Sequence, residues 1–285
     1  MTRFAILLAM LTLAGCSGRS PDFSIDNPTD APISLTIDDT HYDVPAHQAT
    51  DLSLSPGEHR MESNWTGKIK FIVYAGGEGG LINPTLSDYV IADRVYLTDP
   101  SKQSNFGAVN ETIRLQGVAF QGPFVLQNGL FIEKKWRFGV RQPLPHDLTG
   151  YDPGTGGNIF SKIFTAADFV PYYEETYGKP GYFQQHHPVA DTTPRHPAGP
   201  PALPVFDSPE MQQAAAPLRD LLTQYLHAAD ASEQARLKAK SFDLVVAFVH
   251  FFAEKGMSFR NETQKYNDFM HLHGELLSAS AIVEN

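Results

Sequence analysis

Four groups of residues in this chain have types and spacings from which chemistry could be built: a glycine-rich joint, a scatter of histidines, a basic stripe and one thiol. The joint, Gly76-Gly77-Glu78-Gly79-Gly80, follows an apolar run over residues 69–74, as a phosphate loop would. Its spacing is not G-x-G-x-x-G and no Gly-Lys-Ser/Thr follows. Pro84 stands where a phosphate-binding helix would open, so nucleotide binding is not expected. Among the eleven histidines, His186, His187 and His196 share a proline-rich stretch. His271 and His273 would lie about 200° apart on a helix and could not share an ion. His250 falls with Asp243 and Glu254 on a polar face, whereas His273 reads as a hydrogen-bonded core histidine. No H-E-x-x-H or comparably tight ligand set occurs, so neither a metal nor another cofactor is expected. Beyond Cys16 there is no G-x-S-x-G and no S-x-x-K, and no catalytic residue can be named.

The basic stripe is Lys135, Arg137 and Arg141, with Lys134 beside it. An Asn128-Gly129 pair between two apolar runs predicts a hairpin, whose second arm covers residues 130–140. On that arm the three cations share one face, and Trp136, Phe138 and Val140 share the other. In an acidic chain this concentration reads in two ways. It is a solvated outer face, or an edge that binds an acidic protein, a peptide carboxylate or the phosphate of an envelope glycolipid.

The thiol is Cys16, the chain's single cysteine. A short basic start and an uncharged apolar run over residues 4–14 precede it. The run is too short to span a membrane, which takes roughly 20 apolar residues. It suits the apolar core of a secretory leader, about 7–15 residues. Leu13-Ala14-Gly15-Cys16 resembles the lipobox of bacterial lipoproteins at all four positions. The resemblance implies that residues 1–15 are a leader removed by the lipoprotein signal peptidase. It also implies a diacylglycerol group on Cys16, an acylated new amino terminus and a lipidated tether over residues 16–22. Ser17, where an aspartate would retain the protein in the inner membrane, implies release to the outer membrane of a Gram-negative cell. Each buried CH₂ adds about 0.8 kcal/mol, and stable anchoring takes more than one chain.

Composition sets further bounds. Lys and Arg number 22 against 32 Asp and Glu, for a net charge of −10, and the leader removes Arg3 as well. That balance argues against nucleic acid and against attraction to anionic lipid through bulk charge. With one cysteine, no intramolecular disulfide can form.

The elements that must position these residues read as α+β. Residues 23–75 show short alternating strands separated by turn residues, the pattern of a small antiparallel β-sandwich. Residues 33–59, ending in Ser55-Pro56-Gly57, are loosely similar to PEGA-type β modules. Asn-Pro-Thr occurs at residues 27–29 and again at 83–85, each time as turn chemistry ahead of a strand. Residues 76–185 read as a β-rich middle region with irregular loops and one short helix near 166–176. Residues 186–205 read as a proline-rich linker. Residues 206–285 read as a three-helix bundle: Ser208-Pro209-Glu210 opens the first helix, Pro217 should kink it, Ser232 caps the second and Gly256 stops it. The function expected is binding or scaffolding in the cell envelope, outer-membrane anchored and facing the periplasm, with surface exposure left open. The alternative is an envelope hydrolase whose carboxylates or histidines meet only in the fold. Replacing Cys16 by alanine should abolish incorporation of labelled palmitate and leave a soluble or uncleaved species. Label entering the Cys16→Ala protein would refute the lipoprotein reading.

Overall fold

The computed structural model describes residues 19–107, 110–146, 156–190 and 193–284. Cys16 and the leader lie outside the described residues. The chain is mixed α+β. The first strands are β1 (Asp22–Asp26), β2 (Ile33–Ile37), β3 (Thr40–Val44), β4 (Ala49–Ser53), β5 (Gly57–Ser63), β6 (Gly67–Val73) and β7 (Gly80–Ile82). The middle holds β8 (Tyr89–Leu97), β9 (Glu111–Leu115), β10 (Val118–Gly122), β11 (Phe124–Gln127), β12 (Phe131–Glu133) and β13 (Gly157–Thr165). Helices α1 (Ala166–Thr176), α2 (Tyr182–Gln185), α3 (Pro209–Leu226), α4 (Ala231–Lys255) and α5 (Thr263–Ser278) follow, and β14 (Ala281–Val283) ends the described chain.

Strand alternation builds the first core. β2 buries Ile33, Leu35 and Ile37, and β5 buries every second residue, the period of a half-buried strand. The sheet β14–β6–β5–β2–β3 faces the sheet β12–β7–β1–β4, with Phe23, Ile25, Leu35, Phe71 and Val73 between them. Pairing is antiparallel except between β1 and β7. Three of these strands arrive from later in the chain: β7, β12 and, from the last described residues, β14, whose Ala281 pairs with Val73. Both Asn-Pro-Thr segments form turns, the first closing on the backbone two residues on and the second four residues on. Asn27 Oδ1 accepts the Thr29 amide at 3.0 Å, and Asn83 Oδ1 accepts the Ser87 amide at 3.1 Å.

The second unit is the sheet β11–β8–β13 with the hairpin β9–β10 and α1. Its core is aromatic: Phe120 meets Tyr173 edge-on at 4.9 Å, and Phe124 meets Phe169 edge-on at 4.9 Å, the favoured ring geometry. Thr165 caps α1 by accepting the Asp168 amide at 3.1 Å.

Two local expectations are corrected here. Asn128-Gly129 does not close a hairpin, because β11 pairs with β8 while β12 pairs with β7. The chain crosses between sheets at this point, and neither residue takes the positive φ that a type I′ turn requires. The strand expected over residues 130–140 ends at Glu133. Lys134 onward forms a loop that returns beside β13, where Phe138 bridges to Lys162 in parallel sense.

The helices cover the outer face of β6. Ile72 and Tyr74 pack against Leu221, Tyr225 and Leu277, and Tyr74 stacks on Tyr225 at 4.7 Å. Ser208 caps α3 as expected. The helix runs through Pro217 without ending, because Ala215, Leu218 and Leu221 continue one buried face across it. In α4 the capping oxygen belongs to Asp230, which accepts the Glu233 amide at 3.0 Å. His273 is a core residue, but its Nε2 meets no partner among the described residues.

Burial pushes the His273 pKa below its ordinary value of 6.5. The unfolded chain therefore takes up this proton first, and stability falls as pH drops through 6.5 toward the folded-state value. For one proton the slope is at most about 1.4 kcal/mol per pH unit. Denaturant unfolding of His273→Leu should lose that part of the acid-side slope. An unchanged slope between pH 6.5 and 5 would show that other groups carry it.

Candidate functional site

The structure turns one cation of the stripe away from the other three. Lys135 turns toward α5 and reaches Glu275 at 3.4 Å. Lys134, Arg137 and Arg141 line an open groove of about 790 Å³ with Trp136, Asp22 and Asp51. The Arg137 guanidinium lies 4.3 Å from the centre of the Phe160 ring. The groove is thus mixed in charge, and its cations are partly occupied.

Arg141 is the most occupied. Its Nη1 pairs with Asp26 Oδ1, and its Nε donates to the His47 carbonyl at 2.7 Å. Asp26 is fully buried, and its Oδ2 accepts the Tyr89 hydroxyl at 2.5 Å. Burial first, and the Asp26 carboxylate second, raise the Tyr89 pKa far above the ordinary tyrosine range. On the other side of the same loop, Lys162 of β13 is 5% exposed. Its ammonium donates to the carbonyls of Gly139, Val140 and Gln142 at 2.8, 2.9 and 2.6 Å. Burial pulls its pKa down to about 8, with the Asp168 charge acting in the opposite sense. Sequence reasoning missed Asp26, Tyr89 and Lys162, which look like ordinary strand residues until the sheets come together.

The glycine joint is packing, not a ligand loop. A Cβ on Gly79 would stand 1.7 Å from the Asp22 carbonyl oxygen, and one on Gly80 would stand 2.0 Å from that of Ile132. Gly79 donates its amide to Ser280 Oγ at 2.9 Å, and Ser280 in turn donates to Glu133 at 2.6 Å. Burial raises the Glu133 pKa, against the pull of the Ser280 hydrogen bonds. Among the described residues no group of three or more His, Cys, Asp or Glu could hold a metal ion.

A second concavity lies elsewhere: a cleft of about 880 Å³ where the sandwich, the second unit and the proline-rich stretch meet. Trp65, in the turn between β5 and β6, stands at its wall and is 42% exposed. Leu115, Val170 and Phe183 add apolar surface. Arg195, from the proline-rich stretch, grips Asp88 with two bonds of 2.6 and 3.2 Å, the planar fork that suits a carboxylate. Val189 donates its amide to the Gln116 carbonyl at 2.9 Å. Leu86 and Gln116, both in the lining, have φ of 51° and 47°, an uncommon conformation for such side chains and one that clusters at functional sites. The only sequence signal for this cleft was a tryptophan in the polar stretch Glu62-Ser63-Asn64-Trp65-Thr66-Gly67. Comparison with protein-family models, curated proteins and solved structures finds no match.

The cations should therefore behave differently on mutation. Arg141→Ala leaves the Asp26 carboxylate buried without its charge partner and should cost about 2–4 kcal/mol. Lys134→Ala and Arg137→Ala should each stay within about 0.5 kcal/mol. Equal costs at the three positions, measured by urea denaturation, would refute the keystone role of Arg141.

Proposed function

We propose that this chain is a lipid-anchored protein of the cell envelope, tethered through Cys16 to the outer membrane and facing the periplasm, and that it works by binding a partner in the cleft beside Trp65. The observation that carries this reading is the cleft itself. It has the size of a ligand site and a mixed lining, in which Trp65, Leu115, Val170 and Phe183 stand beside polar groups such as Asn64, Gln116, Thr165 and His196, and it lies where separate units meet, as binding sites commonly do. Its rim aromatic is half exposed and its wall is braced by the Arg195–Asp88 fork. Among the described lining residues Asp88 is the only carboxylate and His196 the only histidine, and Asp88 is already gripped by Arg195, so the lining offers His196 without a free carboxylate, which favours binding over hydrolysis.

The tether supports the orientation. Five residues separate Cys16 from the start of β1, a reach of about 20 Å at full extension. β1 then runs from the tether toward Pro28, which lines the cleft. A chain anchored at Cys16 would thus hold the cleft on the side away from the bilayer.

A photo-crosslinking amino acid at position 65, tested in intact cells, should capture a defined species. The same probe at the exposed Thr112 should not. Ala167→Trp, which fills the cleft from the first turn of α1, should reduce capture at least about tenfold, or 1.4 kcal/mol, without shifting the melting temperature. Equal capture from positions 65 and 112, or capture indifferent to Ala167→Trp, would overturn the reading.

A further inference from the structure

Two hairpin tips, one from each β unit, line the cleft beside Trp65. The first is the turn between β5 and β6. Ser63 Oγ accepts the amides of Trp65 and Thr66 at 3.3 and 3.1 Å and bonds the Thr66 hydroxyl at 2.7 Å. Braced in this way, the turn leaves Asn64 and Trp65 exposed. The second tip is Gln116-Gly117, which joins β9 to β10 with Leu115 opposite Val118. Both residues have positive φ, 47° and 82°, as a type I′ turn requires, and the Gln116 carbonyl accepts the Val189 amide at 2.9 Å. The tips thus bring an indole and two primary amides to one cleft. Neither the Asn64 nor the Gln116 side chain makes a hydrogen bond among the described residues.

The rest of the lining narrows what those groups could hold. Its permanent charges are Asp88 and Arg195, which grip each other, and Arg195 also donates to the Leu86 carbonyl at 3.0 Å. His196 aside, no cation described in the lining is left for a phosphate or a carboxylate. An acyl chain is a poor match as well, because it would take both amides out of water with nothing to pair them. An extended peptide pairs with a free strand edge, whereas the backbone groups at these tips are spent on Ser63 and Val189. What the tips offer is side chains. A primary amide has two donors and a carbonyl acceptor, which suits hydroxyls that both give and accept. The indole face is the negative side of its quadrupole, which suits the polarised C–H groups on the flat of a sugar ring. Resting on the reading of the cleft as a binding site, we propose that its ligand is a neutral oligosaccharide, with one ring on Trp65 and hydroxyls on the Asn64 and Gln116 amides.

A benzophenone side chain at position 65, aromatic like the indole it replaces, reads both the site and the ligand in the full chain in intact cells. After irradiation, the tryptic peptide of residues 61–68 should carry an adduct of uncharged sugar units that periodate cleaves and protease leaves intact. Gln116→Gly, which keeps the positive-φ turn, and Asn64→Ala should each reduce that adduct by about threefold to tenfold. The melting temperature should not change, because both side chains are exposed. An adduct that protease removes, or one carrying a fatty acid or a phosphate, would overturn the sugar assignment and leave the cleft binding a peptide or a lipid. A sugar adduct that neither substitution reduces would overturn it too. No adduct at position 65 would overturn the binding cleft itself, and the sugar assignment with it.

Discussion

A carboxylate with no access to water decides how the two β units of this protein fit together. Asp26 is fully buried, and an isolated charge there would cost several kcal/mol. Its partners come from separate parts of the chain: Tyr89 from β8, and Arg141 from the loop after β12. Satisfying one side chain therefore docks the sandwich, the second unit and the loop. Arg141 extends the same clamp to the turn before β4 through the His47 carbonyl. Lys162 grips that loop from the opposite side with all three of its protons on carbonyl oxygens. A buried anion and a buried cation from different strands thus fix residues 134–142, which have little regular structure of their own. Fixed in this way, the loop sets Trp136 and Val140 against Leu81, Tyr89 and Ile163, the apolar contact that joins the two units.

That arrangement changes the meaning of the basic residues. In a chain of net charge −10, a local cluster of cations suggests recognition of an anion. Here the strongest electrostatic demand is internal, and it claims Arg141 first. Arg195 is engaged in the same manner, with its fork on Asp88 bringing the proline-rich stretch against the second unit. Proline restricts the unfolded chain as well as the folded one, so ordering this stretch costs less entropy than its length suggests. A cleft whose wall is braced before any ligand arrives loses less on binding, because the ordering cost has been met in folding.

What could be read from the sequence follows the range of the interactions involved. Ser208 and Thr165 cap their helices through residues three positions on, and both Asn-Pro-Thr turns close within a few residues. These are local rules, and the sequence displays them. Asn128-Gly129 obeys an equally local rule and still fails, because β8 and β7 offer its flanking strands better partners than each other. The three-residue strands β7, β12 and β14 are too short to show a period at all. The cleft was illegible for the same reason. Its walls draw on Trp65, Asp88, Leu115, Val170 and Arg195, which no spacing relates.

The helices show the same limit from the other side. Periodicity located the second helix but could not divide its apolar residues between faces, because two adjacent apolar faces look like one broad stripe in sequence. Only the packing of α3 against α4 separates them, leaving Phe242, Val246 and Val249 outward. Elsewhere the helices cover apolar surface that the sheet would leave open. The outer face of β6 lies under the helices, and Tyr74, which would otherwise be a wet aromatic, stacks on Tyr225 and donates to the Leu226 carbonyl at 2.9 Å. Burial pushes the Tyr74 pKa above the ordinary tyrosine range, so its hydroxyl keeps the proton that this bond needs. Among the exposed large apolar residues described, Phe242, Val246 and Val249 are set in a row on one helix, whereas Val125, Ile159, Val189 and Val205 are scattered. Scattered apolar residues on a surface need no explanation, but a contiguous row marks a contact.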